Sequence, residues 1–399
     1  MHKQKSVLFV SDSSITNRIL HSQGFPLLAS LSEKGFSSFC ITYEKLENSE
    51  NELNTINRIK ENYKNKIKFF ENRYKSRKPI PNWVMRIMSM TLQIRKIIKH
   101  HHIDIVHTRS LIPSVMTLFA LAFVGRKVKF IYDNRGVLIE EEIYRGNLKR
   151  NGLITIALRL FEQKIMKKCD AMVVVSNQFK EHIQEEYSQS VPGIIDKTIA
   201  ITNGTDIKNL PDNVLSFKDK EKISVVYSGS AMKWQYLPGI KKFVSECRKN
   251  FKEIDINILT YDYEEFHNLL KDIDGFGGRI KLKTLESHQV KDALLKSNFA
   301  IMIREKNLVN RVATPVKFAE YLSSGLPVFL TKGIGDTEEI IKNNNIGVVV
   351  DEDEINSGIQ KMLELLKDEK VYQRCVDTVK NELDLEISIK QYIKLYREL

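Results

Sequence analysis

Lys317 and Glu320 lie three residues apart in Thr314-Pro315-Val316-Lys317-Phe318-Ala319-Glu320-Tyr321-Leu322-Ser323-Ser324-Gly325-Leu326-Pro327-Val328-Phe329-Leu330. On a helix, side chains at that spacing leave from one side. Pro315 suits a helix start, where the missing N–H costs nothing. Phe318, Tyr321 and Leu322 recur as a buried face would, Gly325 falls at a left-handed cap, and Val328-Phe329-Leu330 reads as a short buried strand. A cation near a helix N-terminus, where free N–H groups and the dipole already favour an anion, suits a phosphate. A carboxylate one turn later can accept hydrogen bonds from the two hydroxyls of a ribose. Phosphate and ribose together mean a nucleotide. The plainer reading is a solvated ion pair on a helix surface, so the rest of the chain decides.

Other reactive side chains follow apolar, strand-like runs. Ser11 follows Val7-Leu8-Phe9-Val10; His107 ends the run 103–107 and Arg109 comes next; Asp133 and Arg135 follow Phe130-Ile131-Tyr132; Asn203 follows Ile199-Ala200-Ile201-Thr202. Ligands of open α/β sheets bind beyond the carboxyl ends of the strands, so His107, Arg109, Asp133, Arg135 and Asn203 are expected along one edge. Each has a local alternative, such as a strand-end histidine satisfied by its neighbours. In the second half, Ser228-Gly229-Ser230 ends the run 223–227, with Lys233 close behind, and Arg304 ends the run 299–303. Gly333 and Gly335 follow the strand at 328–330, where their backbone N–H groups could approach an anion.

Two arrays of strands and helices must position these groups. The expected architecture is α/β, with two Rossmann-like domains whose parallel sheets face a central cleft. Residues 1–206 form the first domain, 207–222 a polar linker and 223–385 the second. The amphipathic tail 386–399, with Ile389, Tyr392, Ile393 and Tyr396 on one face, is a closing helix expected to return to the first domain. At 399 residues the chain is long enough for two domains.

Charge divides unevenly. Residues 1–200 hold 32 Lys and Arg against 19 Asp and Glu, whereas 201–399 hold 30 against 31, so the net +12 belongs to the first half. Much of it falls in 58–99, a basic stretch with interspersed aromatics, then Pro79-Ile80-Pro81 and an amphipathic helix from Trp83 to His100. This region is expected to meet anionic lipid; the alternative is a packing helix with a solvated basic face. No helix–turn–helix, zinc or RNA-recognition signature supports nucleic acid. Cys40, Cys169, Cys247 and Cys375 form no paired motif, so neither a metal nor a disulfide framework is expected. A polar start and no apolar run of spanning length lead to the expectation of a cytoplasmic protein, peripheral at the inner face of the membrane.

Pro315-x-Lys317-x-x-Glu320-Tyr321-Leu322-x-x-Gly325-x-Pro327-Val328 resembles the motif of GT-B glycosyltransferases, most closely the retaining family 4. Val175-Ser176 and Asn203-Gly204-Thr205-Asp206 resemble the end of that family's first domain. His107-x-Arg109-Ser110 and Asp133-x-Arg135-Gly136 resemble members acting on bacterial surface polysaccharides. Tyr227-Ser228-Gly229-Ser230, with Trp234-Gln235, resembles the loop opening the second domain. The resemblance implies a hexosyltransferase that uses a nucleotide-diphospho-sugar donor, a saccharide or lipid-linked acceptor and no cofactor. Glu320 would hold the ribose; Lys317, Arg304, Gly229, Ser230, Lys233, Gly333 and Gly335 would surround the diphosphate. His107 and Arg109 would lie near the transferred sugar, with Ser11, Asp133, Arg135 and Asn203 along the acceptor wall and no base assigned. Two departures stand out: Val312 replaces the glutamate eight residues before Glu320, and Ser230 stands where an arginine is usual. Ser11-Asp12-Ser13 also replaces a glycine-rich loop. A nucleotide-sugar 2-epimerase and a non-catalytic partner protein share the architecture and are the alternatives.

Overall fold

The computed structural model describes residues 4–45, 49–73, 82–208, 210, 214 and 222–399. The expected prolines at 79 and 81, the basic run 75–78 and most of the 207–222 linker lie outside the described residues. The chain divides into two compact units, Met1–Ile201 with Ser388–Leu399, and Thr202–Ile387.

Apolar, β-branched runs form the strands of the first unit, and helices return between them. In order these are β1 Ser6–Val10, α1 Phe25–Glu33, β2 Ser37–Glu44, α2 Glu50–Tyr63, β3 Ile67–Arg73, α3 Asn82–His100, β4 Ile105–Arg109, α4 Leu111–Leu121, β5 Lys129–Asn134, α5 Leu138–Arg145, α6 Leu153–Lys168, β6 Ala171–Val174, α7 Asn177–Tyr187 and β7 Thr198–Ala200. The seven strands are parallel in the order β3-β2-β1-β4-β5-β6-β7. Winding reverses between β1 and β4, where such a sheet leaves a crevice. On one face Leu8, Val10, Ile41 and Val106 pack against Met90, Ile94, Ile97 and Ile98 of α3 and Met116 and Ala120 of α4. The segment 44–73, legible only as polar and basic, contains a helix and an edge strand. Ser49 and Glu52 form a reciprocal cap at the start of α2, which buries Ile56 and Ile59.

The second unit runs β8 Ser224–Ser228, α8 Leu237–Asn250, β9 Asp255–Leu259, α9 Tyr263–Leu270, β10 Ile280–Lys283, α10 Ser287–Leu295, β11 Phe299–Met302, α11 Leu308–Arg311, α12 Val316–Ser323, β12 Val328–Thr331, α13 Thr337–Asn344, β13 Gly347–Val350, α14 Ile355–Leu365 and α15 Lys370–Thr378. Its six parallel strands lie in the order β10-β9-β8-β11-β12-β13. Alternation along β8 sends Val225 and Tyr227 to one core and Val226 to the other.

The division falls between Ile201 and Thr202, five residues before the expected boundary. The physical reason is local: Thr205 pairs with Asp384 and exchanges backbone hydrogen bonds with Leu383 and Leu385. Gly204 permits this approach, since a Cβ there would sit 2.5 Å from Leu385 Cα. The last helix, α16 Leu385–Glu398, opens in the second unit and belongs to the first from Ser388 onward. No helix among the described residues is long and apolar enough to cross a membrane.

Candidate active site

The second sheet reverses its winding between β8 and β11, so Gly229 and Arg304 sit on either side of its crevice. Gly229 leaves no room for a side chain, because a Cβ would lie 2.6 Å from the Tyr227 hydroxyl. That hydroxyl donates to the Ser230 carbonyl at 2.9 Å, and the Ala231 N–H donates to Asp262 at 2.6 Å. Tyr321 of α12 clamps the loop from its other end. Its hydroxyl accepts from the Ser228 N–H at 2.8 Å and donates to the Ser228 carbonyl at 3.2 Å. Residues 228–231 and the helix carrying Lys317 and Glu320 are thereby one assembly.

Arg304 is fixed by backbone: its N–H donates to Thr331 Oγ1 at 2.9 Å and its carbonyl accepts from the same hydroxyl at 3.0 Å. The guanidinium is weakly held, with one 3.3 Å bond from Nη1 to Asn310 Oδ1 and a solvent-inaccessible Nε that has no partner. Burial pushes its pKa down, and the hydroxyls of Tyr227 and Tyr321 only partly offset this. Among the described residues no carboxylate pairs with it. A cation partly withdrawn from water without a counter-ion carries an unreturned desolvation cost, so this position is suited to receive an anion.

Lys317 is the second residue of α12, and its Nζ pairs with Glu320 at 2.6 Å, both side chains more than one-third exposed. The expected side-by-side projection is present, and the two groups neutralise one another. Lys233 is exposed in a single 3₁₀ turn, Lys233–Gln235. The glycine pair differs from expectation. Gly333 donates its N–H to Glu338, and Gly335 donates to the Asn310 carbonyl at 3.1 Å, so both amides serve the protein instead of an open anion nest. Asn203 also moves: it groups with the second unit and donates from Nδ2 to the Thr314 carbonyl at 3.1 Å, steadying the entry to α12. It is no part of a first-domain wall.

In the first unit β4 and β5 carry a buried polar cluster. His107 is fully buried; its Nε2 meets Asp133 Oδ2 at 3.1 Å and its Nδ1 meets the Tyr396 hydroxyl. A carboxylate only accepts, so Nε2 carries the proton and Nδ1 accepts from Tyr396. Burial depresses the pKa of His107 and keeps it neutral against the pull of Asp133. Burial alone would raise Asp133, but Arg135, His107 and Arg109 hold it well below the usual carboxylate range. Arg135 donates to Asp133 at 3.2 Å and to the Tyr392 hydroxyl at 3.1 Å, and Tyr392 donates to Asp133 at 3.2 Å. Arg109 and Arg135 both reach Gln23 Oε1, at 2.8 and 3.1 Å. Burial and the adjacent Arg135 push Arg109 down to about 10. With both nitrogens occupied and no exposure, His107 is a strut under α16, which corrects the expectation that it is catalytic. Ser11 is buried at the end of β1, where its hydroxyl accepts from the Ser13 N–H at 3.2 Å.

The family model described as Glycosyltransferase Family 4 matches residues 27–209, and the one described as Glucosyltransferase 3-like, C-terminal domain, matches 298–394. No curated protein matches the sequence significantly. A glycosyltransferase from Rickettsia africae ESF-5 superposes with a TM-score of 0.72 at 19% identity, over 100% of this chain and 99% of that one. Sucrose-phosphate synthase from Thermosynechococcus elongatus gives 0.72 at 12% over 99% of each. Anabaena HepE, solved with UDP and glucose, gives 0.69 at 12% over 98% of this chain and 99% of that one. The chain has the GT-B fold, and residues 27–209 resemble Glycosyltransferase Family 4.

Several residues that organise the two sheet edges gave no sequence signal. Buried Asn310 donates to the carbonyls of Trp234 (2.9 Å) and Glu305 (2.8 Å), supports Arg304 and accepts from Gly335. One amide residue thus ties three loops at the crevice. Buried Glu44 plays a similar part in the first unit, accepting from the Ser14 hydroxyl and the Ile15 N–H, both at 2.7 Å. It fixes the loop that stands in place of the glycine-rich one. Among the described residues no group of three His, Cys, Asp or Glu could hold a metal ion.

Proposed function

We propose that the transferase moves a hexose from a nucleotide-diphospho-sugar to a saccharide acceptor carried on a lipid, in surface polysaccharide synthesis and with retention. The observation that carries the reading is Arg304, a part-buried guanidinium that pairs with no carboxylate among the described residues, at the switch point of the second sheet, beside the Gly229 loop and α12. In this reading the diphosphate lies against Arg304. Lys317 leaves Glu320 for a phosphate oxygen, and Glu320 turns to the ribose hydroxyls. Charge developing on the leaving diphosphate is then met by positioned donors, the largest usual term in such a site. HepE, a structural neighbour, is solved with UDP and with UDP-glucose, which supports this donor class. In the first unit two guanidiniums face one carboxylate, and that surplus positive charge supports an acceptor bearing an anionic group. His107 is unavailable as a base, so the leaving phosphate takes the acceptor's proton in this proposal. The first unit's cationic character supports work at an anionic membrane face.

The test is a panel of nucleotide sugars, each incubated with and without a lipid-linked saccharide extract while nucleotide release is followed. Acceptor-stimulated release supports transfer; donor isomerisation without acceptor would establish the epimerase instead. Replacing Glu320 with alanine should weaken donor binding by about 1.5–3 kcal/mol. Unchanged affinity would remove Glu320 from the site.

A further inference from the structure

The first unit buries its α3, α4 and α6 side by side on one face of the sheet, with α4 between the other two. Their outer surfaces are unusual. Of fourteen large apolar side chains exposed among the described residues, nine lie on these three helices and the turn after α4. Trp83, Met88 and Leu92 line α3, and Leu153, Ile156 and Leu160 line α6. Leu153 is 87% exposed and Trp83 65%. Patches of this kind mark an interaction surface.

Charge says what covers it. The three helices carry eight Lys and Arg and one acid, Glu162, which is buried. Exposed Arg126 and Lys127 follow in the α4–β5 turn. Two copies of such a face would repel each other, whereas an anionic bilayer complements it. The charges are also sorted along the helices. On α3 the exposed apolar residues precede Lys96 and Lys99; on α6 Leu153, Ile156 and Leu160 precede Lys164, Lys167 and Lys168 on the same stripe. Both helices return antiparallel to the strands, so their apolar ends gather at the carboxyl edge of the sheet. Aliphatic side chains entering the acyl region, with long lysines reaching back to the headgroups, require this arrangement. A recess of about 710 Å³ beside α3, lined by Phe70, Leu92, Lys96, His100 and His101, continues the surface.

The cations expected to reach lipid from residues 58–73 are largely occupied. Lys60 pairs with Glu71, Lys64 with Glu61, Lys66 with Glu33 and Arg73 with Glu71. We infer that the outer face of α3, α4 and α6 inserts into an anionic lipid bilayer, with the apolar half of α6 as its deepest part. The inference rests on the membrane-facing reading above but not on the choice of donor. It places the carboxyl edge of the first sheet, with Arg109 and Arg135, where a lipid-carried acceptor arrives.

Full-length protein is floated with vesicles of phosphatidylcholine alone or with about one-third phosphatidylglycerol. Binding should require the anionic lipid, weaken in high salt without vanishing, and fall at least about tenfold in L153S/I156S/L160S. That variant exposes no new core and should melt as the parent does, with nucleoside diphosphate affinity unchanged. Trp83, read in a Trp234→Phe background, should shift to the blue on anionic vesicles. Equal flotation of parent and variant, or no flotation of the parent, would overturn the inference. A parent dimer dissolved by the same substitutions would assign the face to a second copy instead. Failure of the parent to bind any nucleoside diphosphate would count against the donor site and leave this test untouched.

Discussion

Replacing Arg304 with methionine separates a ligand-binding arginine from a structural one, because the two roles predict opposite changes. Among the described residues the guanidinium makes one 3.3 Å hydrogen bond and leaves Nε unpartnered. Losing that bond costs about 0.5–1.5 kcal/mol. Removing a part-buried cation that pairs with no carboxylate among the described residues returns part of a penalty that runs to several kcal/mol for a fully buried ion. The variant should therefore melt no lower than the parent. Binding should suffer, since a charge-assisted contact to a phosphate contributes about 1.5–3 kcal/mol, or roughly 10–150-fold in Kd.

Calorimetry with the nucleoside diphosphate selected by the donor panel measures the second quantity, and melting with and without it measures both. At a ligand concentration of about 100 times the parent Kd, linkage adds about 2.7 kcal/mol to the parent. A variant weakened about thirtyfold would gain only about 0.9 kcal/mol at the same concentration. A variant that melts well below the parent, yet binds the nucleoside diphosphate as tightly, would refute this role for the guanidinium. Arg304 would then be a packing residue.

Gly335→Ala places a Cβ 1.9 Å from the Ala313 carbonyl at a φ of +44°. It should cost about 2 kcal/mol or more and lower the melting temperature by about 4–8 °C; an unchanged melt would show that this turn is not fixed. His107, neutral and with a depressed folded-state pKa, contributes fully above its ordinary value of 6.5 and loses that contribution as pH falls below it, because the unfolded chain then takes up the proton. Stability should thus decline from pH 7 to 5, by up to about 1.4 kcal/mol per pH unit for this one proton. His107→Gln, which can still donate to Asp133 and accept from Tyr396, should flatten that decline; an identical pH profile would exclude His107 as its source.

Both sheets could be read from the sequence wherever a buried strand needs an unbroken apolar run, as at 7–10, 171–175 and 328–330. β3 escaped because it is an edge strand, where Ile67, Phe69 and Phe70 are interrupted by Lys68 and followed by Glu71 and Arg73 inside a basic segment. Arg304 was legible because a strand end fixes its place. Asn310 was not, since its importance comes from carbonyls at 234 and 305 that only tertiary structure brings near. Gly333 misled for a similar reason: the anion at its amide is Glu338, five residues on in the same chain. Tyr392 and Tyr396 read as the apolar face of a closing helix, and their rings are buried. Pattern alone could not show their hydroxyls ending on Asp133 and His107.

The two units carry positive charge in different ways, and the difference bears on what each recognises. The first has an excess of 13 over residues 1–200, part of it on the exposed ends of α3 and α6, and its buried arginines share Asp133 and Gln23. The second is nearly neutral, with 30 cations against 31 anions over residues 201–399, yet it holds Arg304 part-buried, its Nε shut off from solvent, with no acid paired to it among the described residues. Diffuse solvated charge gives weak, salt-sensitive attraction to an extended anionic surface and little discrimination among ligands. A single desolvated guanidinium does the reverse, because leaving it unpaired is costly and one well-placed anion removes the cost. The proposed function, which pairs one nucleoside diphosphate with an acceptor met on a surface, calls for both kinds of charge on separate elements. The contrast between Arg304→Met and L153S/I156S/L160S tests that separation directly. The first substitution should weaken nucleoside diphosphate binding and leave flotation with anionic vesicles intact, whereas the second should do the opposite. A variant that lost both together would show that one element serves both kinds of recognition.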